Sequence, residues 1–598
     1  MRILILILLI SNPLFSQEIE STIKYSPRVN LTHDKLFNQQ ITLPFFDDFS
    51  NSDGILNTFL WQDNSAYLNR NYPVNPPTLG VVTLDGLDSN GFAYDINISN
   101  SSSLADQLTS HSINLMNTNQ PLFLMFFFQA QGIGDNPQLE DSLILEFAFD
   151  SLGFQLWENV WSISGENLSE FKKVVIMIDN PKFLTSEFKF RFRNYATLSG
   201  NYDHWHLDYI KLSELNNSSD TSSLNDISFV FDAPSILQRY YQMPWVHFRD
   251  NIVDEIKDSL NILLRNNQAS VNVDYQYNIY ENNLQIDHYP NLGISRNVTV
   301  LEYDSISNYI FSNPPISIDN SVFTSGLLID SISFVFEHIL GTANNDVKIN
   351  DTLLHEQIFQ SHFAYDDGSV ESAYGINVSG ALAAYQFKLN RPDTLRAIQM
   401  YFPQMLDSVN SIPFYLTVWD DNNGLPGNII HQQIEYPVHT PNFNYFSYNL
   451  DSLFQITNNF YIGWQQTSDD LLNIGLDKNN SANDYMYYNV AGTWNNSSYQ
   501  GAWMIRPVVS MSPIILEVND DFFNSLSYYP NPVKDILNIK SNTTNNNISI
   551  YDISGKLIKV YFQPKMNFSL NLNKLTSGIY FLTINNAIGV NYCKIIVQ

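Results

Sequence analysis

Short apolar runs of five to seven residues recur along the chain between polar segments. Such runs lie at 122–128, 143–149, 174–178 and 188–192, separated by clusters rich in glycine, asparagine and aspartate. Short runs bounded by turn residues are typical of β-strands, and no long helical period lies between them. The 40 phenylalanines and 34 tyrosines also favour strands. The pattern predicts an all-β chain built as tandem β-sandwiches.

One stretch, residues 253–265, fits a helix and a strand about equally well. Ile256 and Leu260 fall near helical spacing, whereas Leu260, Ile262 and Leu264 alternate as they would on a strand. Both interpretations stay open at the level of sequence.

Polar linkers divide the chain into modules. We expect a jelly roll over residues 43–213, an immunoglobulin-like or fibronectin III-like spacer over 226–355, a second jelly-roll-like sandwich over 362–510 and a small sandwich over 524–598. Each module is long enough to bury a core of its own.

The first module begins with FDDF at residues 46–49 and ends with WHLD at residues 205–208. This pair of ends resembles the concanavalin-like or MAM-type sandwich, in which the opening segment pairs with the closing strand. The module at 362–510 is similar to galactose-binding-like and jelly-roll modules, although no family signature matches it residue by residue.

The C-terminal module carries a series of short motifs in a fixed order. Its alternating residues predict a small immunoglobulin-like sandwich with glycine-containing turns. The series resembles the type A C-terminal sorting domain of type IX secretion cargo, a family of Bacteroidetes. The resemblance implies that the type IX secretion machinery recognises this module, exports the protein across the outer membrane and then removes the module or joins it to a surface lipid. The residues that carry the match are Pro530, Asn531, Pro532, Tyr551, Gly555, Lys556, Gly578, Tyr580, Lys594 and Val597.

The N-terminal end has the composition of a signal peptide. Arg2 precedes the apolar run 3–10, and Ser16 offers a small residue at a cleavage point. We expect a signal peptide over residues 1–16, too short to span a bilayer, and no later stretch is apolar enough for a transmembrane helix. The predicted destination is therefore the cell surface or the medium.

Charge narrows the range of partners. With 30 lysines and arginines against 60 aspartates and glutamates, the formal net charge of −30 repels nucleic acid. We expect no nucleic-acid partner. The single cysteine, Cys593, cannot form an intramolecular disulfide and is expected to fill a strand position in the last module.

Two polar clusters are candidate metal sites. His204 and His206 would project from one face of a strand and could share a metal with a carboxylate, although a structural role fits them as well. Asp366 and Asp367 could bind Ca²⁺ through hard oxygens, but they do not complete a calcium loop, and turn chemistry is the alternative. We expect no other cofactor.

Three tryptophans of the third module, Trp464, Trp494 and Trp503, are candidates for a sugar-stacking platform, with a place in the core as the alternative. Catalytic motifs are scarce. The sequence from His355 begins like a zinc-protease HExxH box, but Phe359 stands where the second histidine would be.

We therefore expect an exported surface or secreted protein that is not an enzyme and acts as an adhesin or binds a glycan or protein. The alternatives are a secreted polysaccharide hydrolase, with the first jelly roll as its catalytic domain, and a structural surface spacer.

Overall fold

The structure, a computed structural model, falls into two compact units, residues 1–511 and residues 512–598. Strand β1, Glu18–Ser21, is the first element and belongs to a sheet of the third sandwich. The predicted signal peptide lies outside the described residues. The structure describes residues 18–26, 28, 40–50, 55–97, 102–116, 118, 120–215, 225–290, 294–300, 310–312, 331–343, 345–405, 411–440, 443–509, 526–541, 545–552, 557–562, 567–586 and 590–598.

The first sandwich packs two antiparallel sheets around a core rich in phenylalanine. One sheet has the order β3-β4-β11-β6-β9, with β2 also paired to β11, and the other has the order β5-β10-β7-β8. The strands are β2 Phe45–Asp47, β3 Tyr67–Asn69, β4 Val81–Leu84, β5 Ser102–Thr109, β6 Leu122–Ala130, β7 Ser142–Ser151, β8 Phe154–Ser164, β9 Lys172–Ile178, β10 Phe190–Thr197 and β11 Trp205–Glu214.

The predicted pairing of the module's two ends is present. Phe45 lies opposite Leu212, and Asp47 lies opposite Ile210, so β2 runs antiparallel to the closing strand β11. The two ends of this sandwich therefore meet in one sheet.

A β-bulge interrupts β11 and changes which side chains face the core. Trp205 and Leu207 point inward, the register shifts between Asp208 and Lys211, and Ile210 then points inward as well. Tyr209 sits at the bulge with φ of 51°, a left-handed conformation. Because strand side chains alternate, the extra residue leaves both Asp208 and Tyr209 on the side away from this core.

The spacer combines two short helices with two sheets of order β12-β13-β17 and β15-β14-β18-β19, and β16 pairs with β14. The stretch 253–265, which fitted a helix and a strand about equally well, contains both, because the short helix α2 precedes strand β13. The elements are β12 Ile227–Phe229, α1 Trp245–Asp250, α2 Ile252–Glu255, β13 Ile262–Asn266, β14 Val271–Glu281, β15 Leu284–Tyr289, β16 Arg296–Val300, β17 Ile310–Ser312, β18 Ile332–Gly341 and β19 Thr352–Phe359.

The third sandwich has sheets of order β24-β23-β26-β21-β28-β29 and β25-β22-β31, together with a sheet of order β1-β20-β27-β30. A 3₁₀ turn lies at Asn483–Tyr485. The strands are β20 Ser372–Ile376, β21 Leu382–Lys388, β22 Asp393–Met400, β23 Phe414–Asn422, β24 Leu425–Glu435, β25 Phe446–Ile456, β26 Asn459–Gln466, β27 Ile474–Asp477, β28 Met486–Asn489, β29 Asn495–Asn496, β30 Ala502–Trp503 and β31 Ile505–Val508.

The spacer and the third sandwich share one hydrophobic core. A continuous set of buried side chains extends from Ile227 in the spacer to Val509 at the end of the third sandwich. Tyr240 of the spacer stacks on Phe387 with ring planes 4° apart and donates a hydrogen bond to the carbonyl of Lys388. The two modules therefore form one packed body.

The C-terminal unit is a small sandwich of sheets ordered β32-β33-β36 and β35-β34-β37-β38, with an aliphatic core. Its strands are β32 Leu526–Tyr529, β33 Ile536–Ser541, β34 Asn545–Asp552, β35 Leu557–Phe562, β36 Asn567–Asn571, β37 Gly578–Asn586 and β38 Val590–Val597. The all-β prediction and its tandem sandwiches are confirmed. Among the described residues, no helix has the length and apolar character needed to cross a membrane.

Candidate functional site

The sorting motif near Pro530 is anchored to the last strand by one side chain. The Asn531 amide donates to the carbonyl of Lys594 at 2.9 Å, and its oxygen accepts from the backbone N–H of Ile596 at 2.9 Å. Asn531 thus continues the hydrogen-bonding pattern of a sheet at a point where Pro530 and Pro532 offer no N–H. The two prolines and Lys594 remain on the surface.

The remaining motif residues occupy different parts of the C-terminal sandwich. Tyr580 is buried, and its hydroxyl donates to the carbonyl of Thr576 at 2.9 Å, which closes the turn before β37. Gly578 begins that strand, and Val597 is buried in the core. Tyr551 lies in β34. Gly555, Lys556 and the side chain of Cys593 lie outside the described residues, so the expectation for Cys593 stays a prediction.

His204 and His206 are stacked in the protein interior, as expected for two side chains on one face. Their ring centroids are 6.3 Å apart, and His204 also stacks on Tyr72. The backbone N–H of Asp135 donates to Nδ1 of His204 at 2.7 Å, and the hydroxyl of Thr83 lies 2.8 Å from Nδ1 of His206.

The opposite ring nitrogens of this histidine pair are engaged as well. Nε2 of His204 faces Asn201 Oδ1 at 2.9 Å, and Nε2 of His206 faces the carbonyl of Gln131 at 3.2 Å. Burial lowers the pKa of His204 to about 4 and that of His206 to about 3, so both rings are neutral. The expected metal site is corrected to a hydrogen-bonded structural pair, because no ring nitrogen is left for a metal.

The predicted calcium ligands Asp366 and Asp367 already have other partners. Asp366 forms an ion pair with Arg506 and accepts a hydrogen bond from Tyr445. Asp367 accepts from the backbone N–H of Ser369 at 2.8 Å, which closes a turn. The expectation of calcium is corrected here to an ion pair and turn chemistry. Within the described part of the chain, no three His, Cys, Asp or Glu side chains are grouped so as to hold a metal ion.

The three tryptophans do not form a stacking platform. Trp464 is 1% exposed and Trp503 0%, and their ring centroids lie 5.4 Å apart inside the core. Trp494 is half-buried and packs edge-on against Trp419. The expectation of a sugar platform is therefore corrected, because a buried face cannot stack on a ligand. His355 lies in strand β19, so the partial HExxH box has no helix to support it.

A groove that the sequence did not predict lies where the first sandwich meets the spacer. It has a volume of about 620 Å³. The bulge in β11 contributes to it, because it brings Tyr209, Lys211 and Ser213 onto the outer face of the sheet. The pairing of β2 with β11 places residues 43–44 beside these side chains. That pairing was the only feature of the groove that the sequence indicated. The lining consists of Leu43, Pro44, Tyr209, Lys211, Ser213, Glu214, Leu215, Asn225, Asn345 and Val347.

Comparison with known protein families identifies the C-terminal unit. Residues 527–598 match the model of the secretion system C-terminal sorting domain. No curated protein sequence matches the chain.

Solved structures give only loose likenesses. A structure of PorZ, described as an essential bacterial surface component of the type-IX secretion system of Porphyromonas gingivalis, is 16% identical over 22% of this chain, with a TM-score of 0.12. The match spans 17% of that structure's length. The tandem CBM22-1–CBM22-2 domain of Paenibacillus barcinonensis Xyn10C is 7% identical over 80% of this chain and 99% of its own, with a TM-score of 0.19. Neither likeness carries an argument about function.

Fold and motif together define the class of protein: a passenger of tandem β-sandwiches followed by a C-terminal secretion-sorting domain. The protein is cargo of the type IX secretion system, exported across the outer membrane to a secreted or cell-surface state.

Proposed function

We propose that the exported passenger is a non-catalytic binding protein and that it holds a glycan in the groove between the first sandwich and the spacer. The observation that carries the proposal is the lining of this groove. Lys211, Ser213 and Asn345 supply hydrogen-bonding groups, and Leu43 and Val347 supply small apolar surfaces.

This combination suits a sugar. A pyranose ring presents hydroxyl groups around its edge and C–H groups on its faces, so it is matched by polar side chains beside a limited apolar surface. A volume of about 620 Å³ lies in the range of pockets that accept small ligands. The rigid strands β2 and β11 support one wall of the groove, which reduces the ordering cost of binding.

The test is a glycan array probed with the mature chain, followed by titration of any sugar that binds. We expect Lys211→Ala and Asn345→Ala each to weaken binding by about fivefold to tenfold, the effect of one lost hydrogen bond. Lys388→Ala, at an exposed position of the third sandwich, is the matched control and should bind like the unaltered chain. Unchanged binding in both groove variants would place the ligand elsewhere.

A polysaccharide hydrolysis panel, run on the same preparation, separates the alternatives. Turnover of any polysaccharide would replace the proposal by that of a secreted hydrolase. The absence of both binding and turnover would favour a structural surface spacer.

A protein partner is a second candidate, favoured by one observation. Strand β24 lies at the edge of its sheet, and its side chains Ile429, Ile430 and Ile434 are 50%, 44% and 55% exposed. Exposed apolar edge strands often pair with a strand of another protein. Ile430→Lys should abolish adhesion of beads coated with the protein to cell-surface protein and leave glycan binding intact. Retained adhesion would exclude this edge.

A further inference from the structure

The outer side of the sheet β5-β10-β7-β8 in the first sandwich carries a row of cationic and aromatic side chains. The phenylalanines of β10 point into the core, so the alternating side chains of Arg191, Arg193 and Tyr195 point outward. Glu146 of β7 lies opposite Arg191, and Trp157 of β8 lies beside it. We call these five residues the arginine face.

The two guanidinium groups of the arginine face share one carboxylate oxygen. Nε of Arg191 lies 2.6 Å and Nη1 of Arg193 lies 3.5 Å from Oε2 of Glu146. The residues that the structure describes offer these two side chains no other hydrogen-bond acceptor, and the side chains are 17% and 20% exposed. A guanidinium has five N–H donors, so most of the donors of both arginines are left for a ligand from solution.

Trp157 holds the first of these arginines in place. The guanidinium carbon of Arg191 lies 4.0 Å from the centroid of the Trp157 ring, which is a cation–π contact. Because Arg191 is already held by Trp157 and Glu146, it loses little further side-chain freedom when a ligand binds. The donors of the arginine face are therefore positioned before a ligand arrives.

The charge of the arginine face suits an anionic ligand. Two cations contact one carboxylate there, within a chain of formal net charge −30. Asp63 is the other carboxylate that acts on Arg191, and it accepts a hydrogen bond from Gln107 at 3.3 Å. An anion that the acidic surface repels elsewhere is therefore accepted best at a place where guanidinium donors are still free.

Tyr195 adds an aromatic surface to the row of arginines. Its side chain is 37% exposed and lies two residues beyond Arg193, about 7 Å farther along the strand. The C–H face of a sugar ring packs on such a partly exposed aromatic ring. The arginine face therefore combines donors for an anion with a surface for a pyranose ring.

We propose that the arginine face binds a glycan that carries uronic acids. The planar carboxylate of a uronic acid accepts two parallel N–H groups from one guanidinium, and its pyranose ring packs on Tyr195. The donors lie along a strand on the outer side of a sheet, so they suit an extended chain of sugars.

This site is distinct from the groove between the first sandwich and the spacer. None of the five residues of the arginine face lines that groove. The groove supplies one lysine among neutral groups, whereas the arginine face supplies two guanidiniums that share one carboxylate. Each site can therefore be tested by substitutions that leave the other intact.

The experiment is calorimetric titration of the mature chain with oligogalacturonate and with its methyl ester. The ester has the same sugar backbone without the charges, so we expect it to bind at least about tenfold more weakly, the effect of one lost hydrogen bond between charged groups. Added NaCl should weaken the binding of oligogalacturonate, because it screens exposed charges. Equal affinity for oligogalacturonate and its ester would overturn the proposal.

Substitutions at the arginine face separate the charge from its geometry. Arg193→Gln should weaken the binding of oligogalacturonate by about tenfold, and Arg193→Lys, which keeps the charge but loses the fork of donors, should give an intermediate affinity. Arg391→Gln is the matched control, because Arg391 forms a partly exposed ion pair with Asp250 elsewhere in the protein. Unchanged affinity in Arg193→Gln would overturn the proposal.

Tyr195→Ala tests the contact with the sugar ring. We expect about threefold weaker binding of oligogalacturonate from the lost apolar contact. Tyr415→Ala is the matched control, because Tyr415 of β23 is 36% exposed and lies in the third sandwich. Poly-glutamate, which has carboxylates but no sugar rings, should bind at least about threefold more weakly than oligogalacturonate. Equal affinity for the two polyanions would overturn the assignment to a glycan.

The groove variants distinguish a failure of this proposal from a failure of the proposed function. Lys211→Ala and Asn345→Ala should bind oligogalacturonate like the unaltered chain, since both residues lie in the groove. If Lys211→Ala loses this binding and Arg193→Gln retains it, the uronic acid lies in the groove, which overturns the assignment to the arginine face and supports the groove as the glycan site.

Discussion

At the scale of single residues, some polar side chains of this protein take the place of backbone hydrogen-bonding groups, and others form hydrogen bonds with each other in the interior. Asn531 completes a sheet edge beside two prolines, and His204 and His206 are neutral members of a buried hydrogen-bond network. The sequence indicated that the two histidines share a face. It could not show that the backbone N–H of Asp135 and the hydroxyl of Thr83 occupy their Nδ1 atoms, because Asp135 lies in the loop after β6 and Thr83 in β4.

Replacement of Asn531 tests its role in the sorting domain. Asn531→Ala removes two hydrogen bonds, and we expect the C-terminal unit to lose about 1–2 kcal/mol of unfolding free energy. Asn531→Asp keeps the acceptor for the Ile596 N–H and loses only the donor, so its loss should be intermediate. Urea unfolding monitored through the C-terminal unit measures both values. Equal stability of Asn531→Ala and the unaltered protein would show that the contacts are dispensable.

The buried histidines predict a loss of stability in acid. An unfolded histidine has a pKa of about 6.5, whereas His206 in the folded protein has a pKa of about 3. The unfolding free energy that neutral His206 contributes is therefore fully present above about pH 6.5 and is lost as the pH falls toward 3. Between pH 7.5 and pH 5 the loss should approach about 2 kcal/mol, from the 1.36 kcal/mol that one pKa unit represents.

Comparison with His206→Gln isolates this effect from buried acids such as Asp106, whose raised pKa of about 7 acts in the opposite direction. The difference in unfolding free energy between the two proteins should shrink from pH 7.5 to pH 5. His288→Gln, at a half-buried position in β15, is the control for the loss of an imidazole outside the buried pair. A difference independent of pH in His206→Gln would contradict the account.

At the scale of elements, local patterns predicted strands well and long-range pairings poorly. The motif FDDF and the closing strand indicated the pairing of β2 with β11, which the structure contains. The bulge at Tyr209 has no sequence signal, since tyrosine rarely adopts a positive φ. The pairing of β1 with β20, more than 350 residues apart, was also invisible because neither strand specifies its partner.

Strand β1 should stabilise the third sandwich. Its carboxylate Glu18 accepts from the hydroxyl of Tyr374 at 2.7 Å and from the backbone N–H of Ser498 at 3.2 Å. Deletion of residues 18–21 would remove these bonds and a row of ladder bonds, at a cost of about 2–4 kcal/mol. We expect a lower unfolding temperature and faster proteolysis, measured by calorimetry and trypsin digestion.

A substitution at Glu20 is the milder control for that deletion. Glu20 forms an ion pair with Lys478 that is partly exposed to solvent, so Glu20→Gln should cost less than about 1 kcal/mol. If the deletion costs no more than Glu20→Gln, β1 does not contribute to the stability of the third sandwich.

At the scale of the whole molecule, the sequence predicted the export pathway of the protein but did not predict its ligand. The sorting motifs lie within one continuous stretch of the chain, so they can be recognised from the sequence alone. The family match at residues 527–598 confirms them. The groove is assembled from segments near residues 43, 211 and 345. Such a site has no local sequence pattern, and two of the three tryptophans that suggested a sugar platform, Trp464 and Trp503, are in the core.

The central claim is that the C-terminal sandwich directs export of the passenger, and deletion of residues 526–598 tests it most directly. Fractionation of cells expressing the full chain and the truncated chain, with immunodetection of the passenger, locates each product. The account predicts the full chain at the surface or in the medium, and the truncated, folded passenger in the periplasm. A truncated passenger that reaches the surface or the medium as efficiently as the full chain would contradict it.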